Sequence, residues 1–260
     1  MPSFNKYLLN AFVSERFSGN PAAVVLLDSS LSDGDLLSIA KKNMLPETAF
    51  ILRQDNDSLN LRWFTPDIEM DLCGHATLAA GWVALNYLYP DREEITFSTV
   101  SGGITLWRDG ELIAISFPLR IGVEIALPES IYNALSIKPR KVYKARDYML
   151  VYDDENDVVN IEIDRAEFDK INLDPGGVVV TAPGRECDFV SRFFTPQATF
   201  LEDPVTGSAH CTLAPYWANI LGKNRMIARQ LSQRGGELIC EIERERLILK
   251  GKCEVVNGID

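Results

Sequence analysis

The sequence predicts an α+β protein made of two pseudo-symmetric domains, each a curled, mostly antiparallel sheet around one central helix. Its 260 residues are rich in short apolar segments separated by glycine and proline, a pattern typical of strands and turns. Two long apolar helical runs occur, one after Gly74 and one after Gly207, and each follows a polar turn. A strand motif from the first half recurs in the second. We place the domains at 1–118 and 119–260, with a terminal strand that can cross back to the first domain.

The individual elements follow from apolar periodicity and turn signals. Strands are predicted at 7–13, 22–27, 47–52, 59–64, 95–97, 103–107, 112–117, 148–152, 177–181, 189–194, 230–232, 238–242 and 247–249. Ser32 is the predicted N-cap of a first helix. In the helix after Gly74, Leu78, Trp82 and Leu85 share one face, and small residues fill the rest, so this helix is predicted to be buried all round. Further helices are predicted at 164–171 and after Thr206.

A duplication is visible in the spacing of these elements. The segment RWFTP at 62–66 returns as RFFTP at 192–196, an offset of 130, and Gly74 matches Gly207 at an offset of 133. A helical trio matches at an offset of 135: Leu78, Trp82 and Leu85 with Leu213, Trp217 and Ile220. This increase in the offset along the chain, which we call the drift, indicates small insertions in the second copy. The period is too long for a solenoid and fits two domains with a ligand cleft between them.

Composition excludes several classes of function. Lys and Arg number 26 against 37 Asp and Glu, a net charge of −11, which repels nucleic acid and anionic membrane surfaces. No signal peptide or apolar run of membrane-spanning length is predicted. The cysteines are odd in number and widely spaced, as expected of reduced thiols in a cytoplasmic protein. They are Cys73, Cys187, Cys211, Cys240 and Cys253.

The two glycine turns are the predicted ligand-binding elements. Each leaves backbone N–H groups free at a helix N-terminus, where a carboxylate or a phosphate binds readily. Phosphate is the weaker candidate, because the chain contains neither GxGxxG nor GxxxxGK[ST]. A small carboxylate is the other kind of ligand that these turns suit.

Five motifs in chain order resemble the phenazine-biosynthesis PhzF-like family. They are NPA at 20–22, PETAF at 46–50, FTP at 64–66, LCGHAT at 72–77 and EDPVTGSA at 202–209. The resemblance implies a diaminopimelate-epimerase-like fold and a cofactor-independent isomerase, biosynthetic in role, acting on a small cyclic amino- or hydroxy-carboxylic acid. It leaves open whether the protein forms a homodimer. The residues implied as catalytic are Glu47, His75 and Asp203, and those implied in substrate binding are Gly74, Ala76, Gly207 and Ser208.

These residue types suit proton transfer. Glu47 can both accept and return a proton, His75 can relay one, and Asp203 can orient the proton-carrying group. Helix-terminal N–H groups can stabilise the charge that develops as a C–H bond breaks. Structural alternatives remain for each: Glu47 as a surface carboxylate, His75 as a helix cap, and Asp203 as a turn residue.

Three rival functions follow from the same residues. A two-thiol epimerase would need a cysteine on each turn, but Thr206 stands where a partner for Cys73 is required. A metal site from Cys73, His75, His210 and Cys211 lacks the usual zinc spacing, so no metal is predicted. A binding protein without turnover would use the same turns and stays open.

Overall fold

The computed structural model describes residues 4–54, 58–173 and 176–256, which form two compact units. The first unit contains the described residues up to Ser116 and resumes at Lys250, and the second covers Phe117–Leu249. Among the described residues, none of the helices combines the length and the apolar character needed to cross a bilayer. All five cysteines are free, as predicted.

The first unit is a mixed sheet with one helix inside it and one outside. Its strands are β1 (Asn5–Val13), β2 (Asn20–Leu27), β3 (Glu47–Arg53), β4 (Leu59–Phe64), β5 (Glu69–Met70), β6 (Glu94–Thr99), β7 (Gly102–Asp109) and β8 (Leu112–Pro118), the last two residues of which belong to the second unit. Its helices are α1 (Asp33–Asn43) and α2 (Gly74–Val83), which a π-helical turn (Ala84–Leu88) extends. Ser32 caps α1 by accepting a hydrogen bond from Asp35 N, which confirms the predicted cap.

The second unit repeats this arrangement with more helices on its outer side. Its strands are β9 (Val123–Glu124), β10 (Lys141–Lys144), β11 (Tyr148–Val151), β12 (Val178–Pro183), β13 (Phe189–Phe194), β14 (Glu202–Asp203), β15 (Arg225–Gln230) and β16 (Gly236–Glu243). Its helices are α3 (Glu129–Ala134), α4 (Glu155–Asn160), α5 (Arg165–Phe168) and α6 (His210–Leu221), which a 3₁₀ turn (Gly207–Ala209) precedes. The last strand, β17 (Arg246–Val255), begins in the second unit and ends in the first.

Helix α2 is the centre of the first unit. Strands β2 and β3 are parallel, whereas β1 with β2 and β3 with β4 are antiparallel, and β17 completes the sheet beside β1. The helix packs against β1, β2, β3 and β7, and nine of its ten residues are buried, as its composition predicted. At Gly81, an added Cβ would lie 2.5 Å from Leu106 Cδ2, so glycine lets the helix approach β7 closely.

Helix α6 takes the central place in the second unit and contains Pro215. A proline has no N–H, so the carbonyl of Cys211 loses its helical partner. The backbone N–H of Arg120 donates to that carbonyl at 2.9 Å. Trp217 of the same helix stacks on Phe189 of β13, with ring centroids 5.7 Å apart. An apolar core on the other side of the sheet packs under α3, α4 and α5.

The repeated strand motif forms the same local structure in both units. Arg62 makes a two-pronged ion pair with Glu69, at 2.7 and 2.6 Å. Arg192 makes the equivalent pair with Glu202, at 2.7 and 2.9 Å. Each guanidinium also lies over the phenylalanine two positions later in its strand. The duplication predicted from the sequence is therefore present as matched interactions.

The structure locates the drift in the duplication. The N–H of Thr65 bonds to the carbonyl of Ile68, whereas the N–H of Thr195 bonds to that of Leu201. The loop after the motif is thus three residues longer in the second unit. Beyond this loop the offset stays at 133 as far as Gly74 and Gly207, so these glycines correspond.

Some element boundaries differ from the prediction. The strand expected at 230–232 was wrong, because the strand there is β15, which ends at Gln230. The helix expected at 164–171 spans only Arg165–Phe168. Helices α3 and α4 were not predicted, since six residues are too few to show helical periodicity.

Candidate active site

Glu47 and His75, which sequence analysis marked separately, form a direct pair. Glu47 is the first residue of β3, directly after Pro46, and Ala22 lies beside it in the parallel ladder. Its Oε2 lies 3.1 Å from His75 Nε2. The side chain of Glu47 is 12% exposed and that of His75 only 2%. The carboxylate thus lies against a buried imidazole and is only slightly accessible to solvent. Glu47 is therefore not an ordinary surface residue.

His75 uses both ring nitrogens at the start of α2. While Nε2 faces Glu47, Nδ1 lies 3.0 Å from Asn20 Nδ2 and 3.6 Å from Cys73 Sγ. The N-cap residue, Cys73, makes no side-chain capping bond. Its carbonyl instead accepts a hydrogen bond from the Thr77 hydroxyl. The helix therefore begins without a side-chain cap, and His75 does not act as one.

The protonation of this cluster follows from its charges. Burial lowers the pKa of His75, but the charge of the Glu47 carboxylate outweighs burial, so the pKa lies well above its ordinary value. Burial, reinforced by Glu47, raises the pKa of Cys73 to about 11, so this residue is a neutral thiol near pH 7. The dominant arrangement is then a buried imidazolium facing a carboxylate.

We expect this pair to make stability depend on pH. An unfolded histidine titrates near ~6.5, whereas folded His75 keeps its proton to higher pH. Its stabilising contribution is therefore complete below about pH 6.5 and is lost as the pH rises through the folded value. Urea unfolding of wild type and His75→Gln between about pH 6 and pH 9 should show the difference in unfolding free energy shrinking with pH. A difference that stays constant or grows would contradict the charged pair.

The same three side chains are of metal-binding types. The carboxylate of Glu47, the thiol of Cys73 and the imidazole of His75 lie within 4.8 Å of one another. However, the thiol faces Nδ1 and the carboxylate faces Nε2, so the two groups are directed at different nitrogens of the ring. The arrangement fits a chain of proton-carrying groups, and the absence of a metal site stays a prediction.

In the second unit, Asp203 ends β14 and is held by a buried amide. The Thr206 hydroxyl donates to Asp203 Oδ2 at 2.5 Å. Gln230, fully buried at the end of β15, accepts from Thr206 N at 2.8 Å and donates to the Asp203 carbonyl at 2.7 Å. One side chain thus holds both ends of the turn that carries Asp203.

The predicted binding residues lie at the two helix starts. Gly74 and Ala76 are the first and third residues of α2, and both are buried. Gly207 and Ser208 open the 3₁₀ turn before α6, where the preceding Thr206 provides no side-chain cap. Both helix starts thus have the uncapped N-terminal geometry that the sequence predicted for a carboxylate site.

His210 differs from His75 in its charge state. Burial lowers its pKa to about 4, although hydrogen bonds to the backbone at Thr206 and Gly207 oppose this shift. Its Nδ1 lies 3.0 Å from the Thr206 carbonyl and donates to it. His210 is therefore a neutral structural residue of the turn, not a second proton carrier.

Replacement of Gln230 should disturb the turn in the second unit. Gln230→Leu leaves the N–H of Thr206 buried and without its acceptor, so we expect a loss of about 2–3 kcal/mol in unfolding free energy. Gln54→Leu, on an exposed side chain that bonds to Ser58, is a matched control with a much smaller expected loss. Chemical denaturation measures both. Equal losses would show that the amide does not hold the turn.

Two residues of the site were missed by the sequence analysis. Asn20 was noted only as part of a motif, and its contact with His75 spans 55 positions along the chain. Gln230 was taken as the start of a strand. A buried amide gives no local pattern, so neither contact had a signal in the sequence beyond the motif at 20–22.

Comparison with known proteins extends over nearly the whole chain. The family described as phenazine biosynthesis-like protein, PhzC-PhzF, matches residues 9–257. A Pseudomonas aeruginosa protein called an uncharacterized isomerase is 44% identical over 246 residues, covering 95% of this chain and 94% of the relative. The crystal structure of a PhzF-family phenazine biosynthesis protein from Enterococcus faecalis has a TM-score of 0.90 at 40% identity, covering 98% of each chain.

A more distant structure shares the fold alone. The hydroxyproline epimerase from Agrobacterium vitis has a TM-score of 0.62 at 9% identity, covering 98% of this chain and 91% of the epimerase. The predicted fold class, α+β with an epimerase-like architecture, is thereby confirmed.

Proposed function

Because this chain belongs to the phenazine biosynthesis-like PhzF family and is an isomerase, we propose that it moves a proton between carbons of a small, cyclic carboxylic acid by general acid/base catalysis. Glu47 takes the proton from one carbon and returns it to another. The reaction uses groups of the protein alone, without a cofactor. The observation that carries this proposal is the Glu47 carboxylate, partly exposed and held 3.1 Å from a buried imidazole.

His75 acts behind Glu47 in this proposal. An imidazolium at Nε2 stabilises the carboxylate form that removes the proton. After Glu47 has become protonated, His75 stays beside the carboxyl group and limits its orientation. The N-terminal N–H groups of α2, at Gly74 and Ala76, favour the negative charge that develops on the substrate as the C–H bond breaks.

The second unit supplies binding groups of the same kind. Gly207 and Ser208 present the N-terminus of a helical segment, which favours a carboxylate. Asp203 is the orienting residue assigned to this unit, and its turn is fixed by Gln230. We propose that Gly207 and Ser208 bind a carboxylate group at this turn.

Correspondence between the two units favours one catalytic carboxylate over two bases. The registers of β3 with β4 and of β12 with β13 make Thr48 equivalent to Val178. The residue before each is Glu47 in the first unit and Gly177 in the second. An added Cβ at Gly177 would lie 2.3 Å from Phe193 Cζ, so no side chain fits there. The second unit therefore has no counterpart of Glu47.

The same correspondence argues against a racemase with two thiols. With the glycines of the two turns aligned, Cys73 is matched by Thr206, and the raised pKa of Cys73, to about 11, opposes thiolate formation. With one carboxyl group to remove and return the proton, we favour a proton shift between two carbons over inversion of configuration at one carbon, which uses two bases.

A two-step experiment tests this function. A panel of small cyclic amino- and hydroxy-carboxylic acids is first screened for a rise in melting temperature, since a ligand of the folded state stabilises it. Each stabilising acid is then incubated with the protein in D₂O and followed by ¹H NMR. Deuterium incorporation with product formation supports the isomerase. Stabilisation with neither product formation nor deuterium incorporation for any acid would instead identify a binding protein.

A further inference from the structure

The buried side-chain amide of Asn20 contacts His75 on the ring nitrogen that faces away from Glu47, and it has no part in the proton transfer proposed above. Asn20 Nδ2 lies 3.0 Å from His75 Nδ1, and the whole residue is inaccessible to solvent. An amide nitrogen donates, so in this orientation Nδ1 must be an acceptor, which describes a neutral imidazole. The charge state favoured by Glu47 is the opposite one, with a proton on Nδ1 that needs an acceptor.

The position of Asn20 is fixed by the backbone. The residue opens β2, where it pairs with Ala11, and it follows Gly19, which has a φ of 68°. A Cβ at Gly19 would lie 2.4 Å from the Ala11 carbonyl oxygen, so only glycine fits this bend. The side-chain amide of Asn20 is thereby placed beside Nδ1, and rotation of the terminal amide leaves it in that place.

That rotation exchanges a donor for an acceptor at the same place. The amide oxygen and nitrogen of asparagine are nearly equal in size, and a half-turn presents one or the other. The N–H₂ group suits a neutral Nδ1, and the C=O group suits a protonated Nδ1. The other titratable groups that face His75 among the described residues are Cys73, a neutral thiol at 3.6 Å, and Glu47 on the far nitrogen.

We propose that Asn20 is a positioning residue whose side-chain amide rotates by a half-turn when the charge of His75 changes. His75 Nε2 then stays directed at Glu47 whether His75 is neutral or protonated. The inference rests on the proposed function, in which Glu47 alternates between carboxylate and carboxylic acid. As the charge of Glu47 changes, His75 can gain or lose its Nδ1 proton and still keep its hydrogen bond to Asn20.

The test is ¹⁵N NMR of histidine-labelled protein across pH, and it does not require turnover. The chain has two histidines, so a His210→Gln variant assigns the signals. Asn20→Asp provides a permanent charged acceptor, and the pKa of His75 should rise by about one pH unit or more. In Asn20→Leu, the leucine side chain has a similar shape but neither a hydrogen-bond donor nor an acceptor. The pKa of His75 should then fall by about one unit or more. Asn60→Asp, on β4, is the control and should leave His75 unchanged.

A higher His75 pKa in Asn20→Asp together with a lower one in Asn20→Leu supports the proposal. An unchanged His75 pKa in either folded variant overturns it. Circular dichroism establishes folding, and Asn20→Leu keeps the test open if the buried aspartate prevents folding. With an acid found by the D₂O screen, Asn20→Leu should lower the maximal exchange rate at least about tenfold with little change in KM. A failed screen would remove the proposed function while leaving the NMR result to decide the role of Asn20.

Discussion

Glu47→Gln should lower the rate of solvent deuterium incorporation by about 10²–10⁴-fold. The amide keeps the size and the polar character of the carboxylate but cannot take up the substrate proton. Because the change lies in the chemical step, the affinity for the acid should fall much less than the rate. The measurement is ¹H NMR of the exchanging position in D₂O at saturating acid, with affinity from the ligand-dependent melting temperature.

Glu94→Gln is the matched control for that variant. Glu94 opens β6 in the same unit and is exposed, so its replacement should leave the exchange rate unchanged. Undiminished exchange in a folded Glu47→Gln protein would remove Glu47 from the mechanism. An equal loss in both variants would point to a general effect of lost charge rather than to a catalytic base.

Gly251→Ala should reduce the free energy of unfolding by about 2–3 kcal/mol, because it overpacks the first unit. A Cβ at Gly251 would lie 2.3 Å from Phe12 Cδ1 and 3.1 Å from Leu78 Cδ2. Phe12 is fully buried and has a φ of 64°, at a bulge where the register of β1 with β17 shifts. Neither its ring nor its backbone can move away easily, so the added methyl group must displace β17.

Gly103→Ala, on β7 of the same unit, serves as the control for this change. Its Cβ would lie 3.6 Å from Thr96 Cγ2, an ordinary contact, and its φ is not in the left-handed region. Urea unfolding should show no loss or a slight gain in this variant, since alanine is favoured over glycine in a strand. If both alanines cost the same, the close approach of Phe12 to β17 is not what requires glycine at 251.

The elements that could be predicted are those whose cause is local. The Ser32 cap, the buried helix α2 and the exact bounds of β4 and β13 follow from neighbouring residues, and the structure confirms them. Strand β15 also carried a local signal, because buried Met226 and Ala228 alternate with the less buried Arg225, Ile227 and Arg229. The strand predicted at 230–232 therefore lies too late in the chain, since β15 spans Arg225–Gln230.

The parts that could not be predicted depend on long-range contacts. Pairing of Glu47 with His75, and of His75 with Asn20, joins β3, α2 and β2, and no spacing in the sequence encodes those distances. The absence of a second Glu47 became visible only through the ladder register at Gly177. The residue types at the site were predictable from motifs, whereas their hydrogen-bond partners required coordinates.

The face of the substrate that receives deuterium is the most direct test of a single proton-carrying carboxylate. For an acid turned over in D₂O, the product is isolated and the configuration at the deuterated carbon is determined by NMR. Our account predicts deuterium on the same face from which the original hydrogen left, because the partly exposed Glu47 carboxyl group exchanges its proton with D₂O and then delivers a deuteron from the side on which it removed the hydrogen. Deuterium on the opposite face would require a second base and would contradict the account.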